Sequence, residues 1–166
     1  MKKSDFQNIG IIILLLVNLS CDQISKELAR NSIDDHEIIP VIEQYFTLTK
    51  VENTGAFLSM GSELPQQVKN IVLSIVPLLT LIFGVFYLFR NTSLSMLSKI
   101  ALSTAIGGGF GNIYDRLFRG SVTDFMHLNF GFIQSGIFNM ADVSIMIGMI
   151  LFIVQSIFPS KTPLQP

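Results

Sequence analysis

The chain has 166 residues, of which 49% are hydrophobic and only 14% charged, with a formal net charge of −1. Soluble domains carry roughly 25% charged residues, so this chain lacks the groups needed to cover a water-facing surface, and its mean hydropathy of +0.55 agrees. The charge balance gives no electrostatic case for a nucleic-acid partner, and Cys21, the only cysteine, excludes an intrachain disulfide or a cysteine-based metal cluster.

Gaps between charges locate the elements. A spanning helix needs about 20 mostly apolar residues. Residues 6–21 are uncharged, so a first span is expected at about 6–25. Met-Lys-Lys, an apolar run and Leu-Ser-Cys together imitate a lipoprotein signal peptide ending at Cys21. Asn18 stands where such a signal wants leucine, and further apolar runs follow, so Cys21 reads instead as an apolar residue buried in the membrane. Next comes DQISK, in which Asp22 and Lys26 lie four apart and share a helical face. From these residues alone they are an ordinary helix-end ion pair.

The region from about 22 to 67 holds nearly half of the charged residues. Its centre, YFTLTKVEN, alternates Phe46 and Leu48 with Tyr45, Thr47 and Thr49, the pattern of a short strand. Asn-Thr-Gly at 53–55 signals a turn, and AFLSMG after it is expected as a second strand of a small sheet on the membrane surface. Spans two and three are expected at about 69–89 and 96–114. The latter ends GGGFGNIYDR, where clustered glycines point to close helix packing. Asn112 and Arg116 are four apart and can face one site. No Gly-Lys-Ser/Thr follows, so a phosphate-cradling loop is disfavoured. Residues 115–136 mix Arg116, Arg119 and Asp124 with Phe125, Leu128, Phe130, Phe132 and Ile133, which reads as a surface-lying amphipathic segment with apolar anchors. The fourth span is expected at about 137–158. The fold class is then an integral membrane, mainly α protein with four transmembrane helices and a small extracytoplasmic β-layer. With no repeats or linkers, residues 1–166 form a single domain. Lys2, Lys3, Arg90, Lys99 and Lys161 fall on one side, which places both termini in the cytoplasm. Lys26, Arg30, Lys50, Lys69, Arg116 and Arg119 fall opposite, so the rule is not cleanly obeyed.

Asp124 and Asp142 stand apart from this background. No other acid, Lys or Arg lies between them, and 143–160 is uncharged. A carboxylate beside a membrane-length apolar run is costly to bury and is a functional candidate. Asn139 and Asp142 are three apart on one face, near the outward edge of the fourth span. Two nearby carboxylates in a low-dielectric site cannot both ionise cheaply; one keeps a proton and the other acts as base. Such a pair can activate a water against a peptide carbonyl. Proton relay and a non-enzymatic scaffold remain alternatives at this point. A metal site lacks a credible ligand set, His127 with the two aspartates being the best available.

In order, the chain carries DQISK, NTGAF, GGGFGNIYDR, VTDF and FNMAD. On these five motifs, in order and spacing, it resembles lipoprotein signal peptidase, also called signal peptidase II. The resemblance implies a membrane aspartic peptidase of the bacterial cytoplasmic (inner) membrane, with its active site near the extracytoplasmic face. Its substrate would be a diacylglyceryl prolipoprotein, cut on the amino side of the lipid-bearing cysteine. Carried over by motif, Asp124 and Asp142 look like the catalytic pair, and Asn112 and Asn139 would orient dyad or substrate. Asn53, Gly55 and Arg116 would contact substrate, and Asp22 and Lys26 would support the site from the first helix. Gly108 and Ala141, from the same motifs, complete the substrate-binding or dyad-supporting set. Membrane lipids are implied partners, a monomer is expected, and neither cofactor nor metal is. One departure is visible: Ala56 is followed directly by Phe57, where many members have a second alanine.

Overall fold

The computed structural model describes residues 3–56 and 60–158. Its helices are α1 (Lys3–Ser32), α2 (Gln66–Lys69), α3 (Val76–Arg90), α4 (Met96–Phe118) and α5 (Met140–Ile157), with strands β1 (Ile39–Ile42), β2 (Phe46–Asn53) and β3 (Val122–Leu128). A π-helical segment, Asn70–Ile75, joins α2 to α3. Proline at the start of α3 accounts for it. Pro77 has no N–H and its ring would press on the carbonyl four residues back. The wider turn, in which Val76 N–H reaches the Ile71 carbonyl, absorbs that conflict.

Among the described residues, three stretches are long and apolar enough to cross a membrane: Phe6–Ser32, Gln66–Arg90 and Met140–Ile157. Their outer faces carry exposed apolar side chains such as Ile13, Leu79, Phe83 and Ile150. Cys21 is exposed on α1 rather than packed inside the protein. α1 runs on to Ser32, beyond the expected end of the first span. The extra turns are held because Ala29 and Ile33 pack against Phe125 of β3. α4 is the most enclosed of the long helices although it carries polar groups, burying Lys99, Ser103, Thr104 and Asp115 among its neighbours. Ile106 of α4 packs with Ile11 of α1 and Leu88 of α3 in the core nearer the other end.

Three consecutive glycines let α4 touch three helices. A Cβ on Gly107 would strike Asn18 and Leu15 of α1, one on Gly108 would lie 2.5 Å from the Ala141 carbonyl of α5, and one on Gly109 would strike Leu81 of α3. One turn on, a Cβ on Gly111 would run into the Asp22 carboxylate.

The sheet has the order β1-β2-β3, antiparallel throughout. β2 pairs with β3 in a register that sets Val51 opposite Asp124 and Asn53 opposite Val122. This corrects the surface-lying reading of 115–136. Asp115 belongs to α4 and Val122–Leu128 to the sheet. The reason is a pairing partner some seventy residues away, which local pattern does not reveal. The apolar anchors Phe130, Phe132 and Ile133 are exposed in the loop after β3. Half of the second strand expected in AFLSMG, residues 57–59, lies outside the described residues, and Ala56, Met60 and Gly61 form bend and turn.

Gly111→Ala is expected to destabilise the protein by about 1–3 kcal/mol through overpacking. Gly10, which has nothing within 4 Å of an added Cβ, is the control. Thermal unfolding of both variants in detergent checks this, and equal melting temperatures would contradict the packing assigned to Gly111.

Candidate active site

Strand alternation aims Asp124. On β3, Phe125 packs against α1, and the Thr123 hydroxyl sits between Arg30 Nε (2.8 Å) and Glu52 Oε1 (2.7 Å). Asp124 is directed into a cavity of about 640 Å³ that it shares with Asp142, Asn53, Asn112, Arg116 and Asn139. Capping aims Asp142. Asn139 caps α5 by accepting from Asp142 N–H at 3.0 Å, and Asp142 Oδ2 accepts from Asn139 N–H at 3.1 Å. This reciprocal box fixes the carboxylate in the first helical turn.

Amides tie the two acids together. Asn139 Nδ2 donates to Asp124 Oδ1 at 2.6 Å and to Asn112 Oδ1 at 3.1 Å. Asn112 Nδ2 donates to Asp142 Oδ1 at 2.9 Å. Asn112 Oδ1 also accepts from Lys26 Nζ at 2.9 Å. With two donors on its oxygen, the Asn112 amide has one sensible orientation, nitrogen toward Asp142. On the other side Asn53 Nδ2 donates to Asp124 Oδ2 at 2.9 Å and to the Ala56 carbonyl at 3.1 Å. Its Oδ1 accepts from Gly55 N–H at 2.9 Å. Arg116 Nη2 holds the Gly55 carbonyl at 3.0 Å, while its buried Nε has no partner.

Asp124 is only 4% exposed. Burial pushes its carboxyl up to about 6, against the downward pull of the Asn53 hydrogen bond. The Asp142 charge adds to the rise, and Asn139 and Lys26 oppose it.

Behind the cavity lies a fully buried charge cluster. Lys26 Nζ is 2.8 Å from Asp22 Oδ2 and 2.9 Å from Asp115 Oδ2, the latter close enough for an ion pair though off the line of a hydrogen bond. Asp22 Oδ1 accepts from Ala141 N–H at 2.8 Å, which satisfies a free donor at the start of α5. Asp115 also pairs with Arg30 at 3.0 Å. Gly108 and Ala141 contribute close packing of α4 on α5 rather than polar contacts. The structure thus brings all eleven sequence-predicted residues into one neighbourhood, six on the cavity wall and five behind or beside it. The sequence motifs assign no role to Asp115, Arg30 or Thr123. Arg30 was findable, since Asp22, Lys26 and Arg30 repeat every four residues. Among the described residues, no group of three or more His, Cys, Asp or Glu is placed to hold a metal ion.

The profile of the family described as signal peptidase (SPase) II matches residues 12–158. The chain belongs to the signal peptidase II family. A lipoprotein signal peptidase of Fusobacterium nucleatum is 38% identical over 89% of this chain and 86% of its own length. One from Borreliella burgdorferi is 37% identical over 99% of this chain and 98% of its own. A solved structure described as a bacterial membrane enzyme superposes with a TM-score of 0.79 over 94% of both chains at 24% identity, a likeness of fold. A second such structure gives 0.76 at 25% identity over 91% of this chain and 94% of the other. A signal peptidase II is a peptidase, and a cavity holding two amide-bridged carboxylates suits a hydrolase.

In this signal peptidase II, Lys26→Met is expected to cost about 3–5 kcal/mol, because Asp22 and Asp115 would face each other without their cation. Lys26→Met/Asp115→Asn should recover part of that loss, since one surplus charge is gone. Unfolding in denaturant checks the pair, and a double variant weaker than the single one would contradict the charge argument.

Proposed function

We propose that the chain is a membrane aspartyl endopeptidase that removes the signal peptide from prolipoproteins. It would cut on the amino side of the cysteine that bears diacylglycerol. The observation that carries this reading is the pair of carboxylates, Asp124 and Asp142, joined through Asn139 and Asn112 at one cavity. The names of the curated relatives, lipoprotein signal peptidases, support the substrate class.

The dyad shares one proton, and the raised Asp124 is its resting place. Asp142 accepts a proton from a water as that water's oxygen bonds to the scissile carbonyl carbon. Asp124 gives its proton to the carbonyl oxygen, forming a neutral tetrahedral diol. Collapse breaks the C–N bond, the cysteine nitrogen takes the proton from Asp142, and a diol proton returns to Asp124. Asn112, Asn139 and Asn53 hold the carboxylates in place through these transfers. The free Arg116 Nε offers a substrate carbonyl a donor.

We read α4 as the fourth span of a single domain. Its 23 residues reach roughly 34 Å at 1.5 Å per residue, and α1, α3 and α5 shield its polar groups. Four spans put both termini in the cytoplasm and the dyad near the extracytoplasmic face of the bacterial inner membrane. The enzyme works as a monomer among membrane lipids and needs no cofactor.

Asp124→Asn or Asp142→Asn is expected to lower kcat on a diacylglyceryl prolipoprotein by about 10²–10⁴-fold. The double variant should lose no more than the worse single one, as for groups acting as a unit. Near-normal cleavage by either single variant would end the dyad mechanism. Activity should survive a strong chelator; a loss restored by Zn²⁺ would point to metal hydrolysis instead.

The pH dependence follows from Asp124. Its raised carboxyl keeps the shared proton below about pH 6 and loses it above. kcat/KM should therefore fall on the alkaline side with an apparent pKa of about 6, and kcat should fall at a higher pH, because bound substrate excludes water. Asn53→Ala removes a hydrogen bond to the ionised form, so the alkaline limb should move to higher pH. A shift to lower pH would contradict the assignment.

A further inference from the structure

The loop joining α3 to α4 has chemistry of its own. Between Lys69 and Asp115 the sequence holds two charged residues, Arg90 and Lys99, and no acid. Arg90 ends α3 and has no carboxylate partner among the described residues. Its guanidinium sits over the Phe86 ring, 5.2 Å from the ring centre. Beside it is a cavity of about 470 Å³, lined by Phe83, Phe86, Tyr87, Arg90 and the loop residues 91–93. Phe83, Phe86 and Tyr87 are exposed on a stretch apolar enough to cross a membrane, so they face lipid tails.

We propose that this cavity binds one anionic glycerophospholipid, its phosphate on Arg90 and an acyl chain along Phe86 and Phe83. The leaflet concerned, the inner one, rests on the topology proposed above; the site itself does not. Charge and shape both favour the occupant. A guanidinium lying over a ring leaves its N–H edges free, and those edges match phosphate oxygens in pairs. The Asn91 side chain accepts from Ser93 N–H at 3.0 Å and from Ser93 Oγ at 2.6 Å, which fixes the loop and holds Thr92 at its exposed tip. The Thr92 hydroxyl is then available to a headgroup.

One effect opposes binding. The last carbonyls of α3 present about half a negative charge. The full charge of Arg90 exceeds it, and the N-terminus of α4, beginning at Met96 across the loop, presents a similar positive fraction. The balance at the cavity is positive.

The test is native mass spectrometry of the full chain released from detergent, with phosphatidylglycerol or phosphatidylcholine added at equal concentration. One phosphatidylglycerol per chain should be retained in preference to phosphatidylcholine. Arg90→Gln should reduce that retention about tenfold or more, the scale of one lost charge-assisted hydrogen bond. Phe86→Ala should weaken it too, and inorganic phosphate at millimolar concentration should not displace the lipid. Arg90→Gln should still cleave prolipoprotein in detergent, which separates this site from the dyad. Equal retention of the two lipids, undiminished retention by Arg90→Gln, or displacement by phosphate alone would each overturn the proposal.

Discussion

The ammonium of Lys26 is fully buried, and oxygen atoms of Asp22, Asp115 and Asn112 surround it at 2.8–2.9 Å. Each partner leads to a different part of the site. Asp22 reaches the first turn of α5 through Ala141 N–H. Asp115 reaches β3 through Arg30 and the Thr123 hydroxyl. Asn112 reaches Asp142 directly. The two carboxylates near Lys26 would otherwise repel each other in a low-dielectric interior, where an uncompensated charge costs several kcal/mol. One lysine on α1 therefore sets the relative positions of the strand that carries Asp124 and the helix that carries Asp142.

That arrangement demands an unusual central helix. α4 supplies Asn112, Asp115 and Arg116, so it cannot be apolar throughout. Those groups are met by partners on α1, on α5 and in the loop after β2: Lys26 and Arg30, Asp142, and the Gly55 carbonyl. Enclosure requires close approach. Glycines 107, 108 and 109 face α1, α5 and α3 in turn, and Gly111 leaves room for the Asp22 carboxylate itself. The run of glycines and the polar end of the helix are two parts of one solution: a slender helix packed closely enough against its neighbours for their side chains to meet its polar groups.

Much of this is legible in the sequence, and what is not has physical causes. Apolar runs and helical spacing identify α1, α3 and α5, because a spanning segment needs only a local pattern. Asn139 and Asp142 are legible as one face for the same reason. Asp115 is harder to see. It neighbours Arg116 in sequence, but a step of one residue turns it about 100° around the helix, away from the cavity and toward Lys26. β3 is harder still, since VTDFMHL lacks clean alternation and its partner β2 is far away in the chain. The pairing that makes it a strand is non-local, and so is the Arg30–Thr123 contact that holds it down. Local pattern finds the elements; the joints between them are made by side chains from opposite ends of the chain.

The capping box at Asn139 also fixes where along α5 the proposed chemistry would take place. Asp142 is pinned in the first turn of α5, so the proposed dyad would lie at the end of the helix and not along its middle. Below it on the same face, Ile145, Met146 and Met149 continue the cavity wall. Met149 lies seven residues on, about 10 Å down the axis. Met146 and Met149 are exposed, so this wall opens sideways. A peptide bond held at Asp124 and Asp142 would have a polar amide lattice on one side and an apolar path on the other. A chain that bears both a peptide and an acyl group at one residue needs those two environments side by side. A single helix start supplies both, because its cap must be polar and its next turns must be apolar.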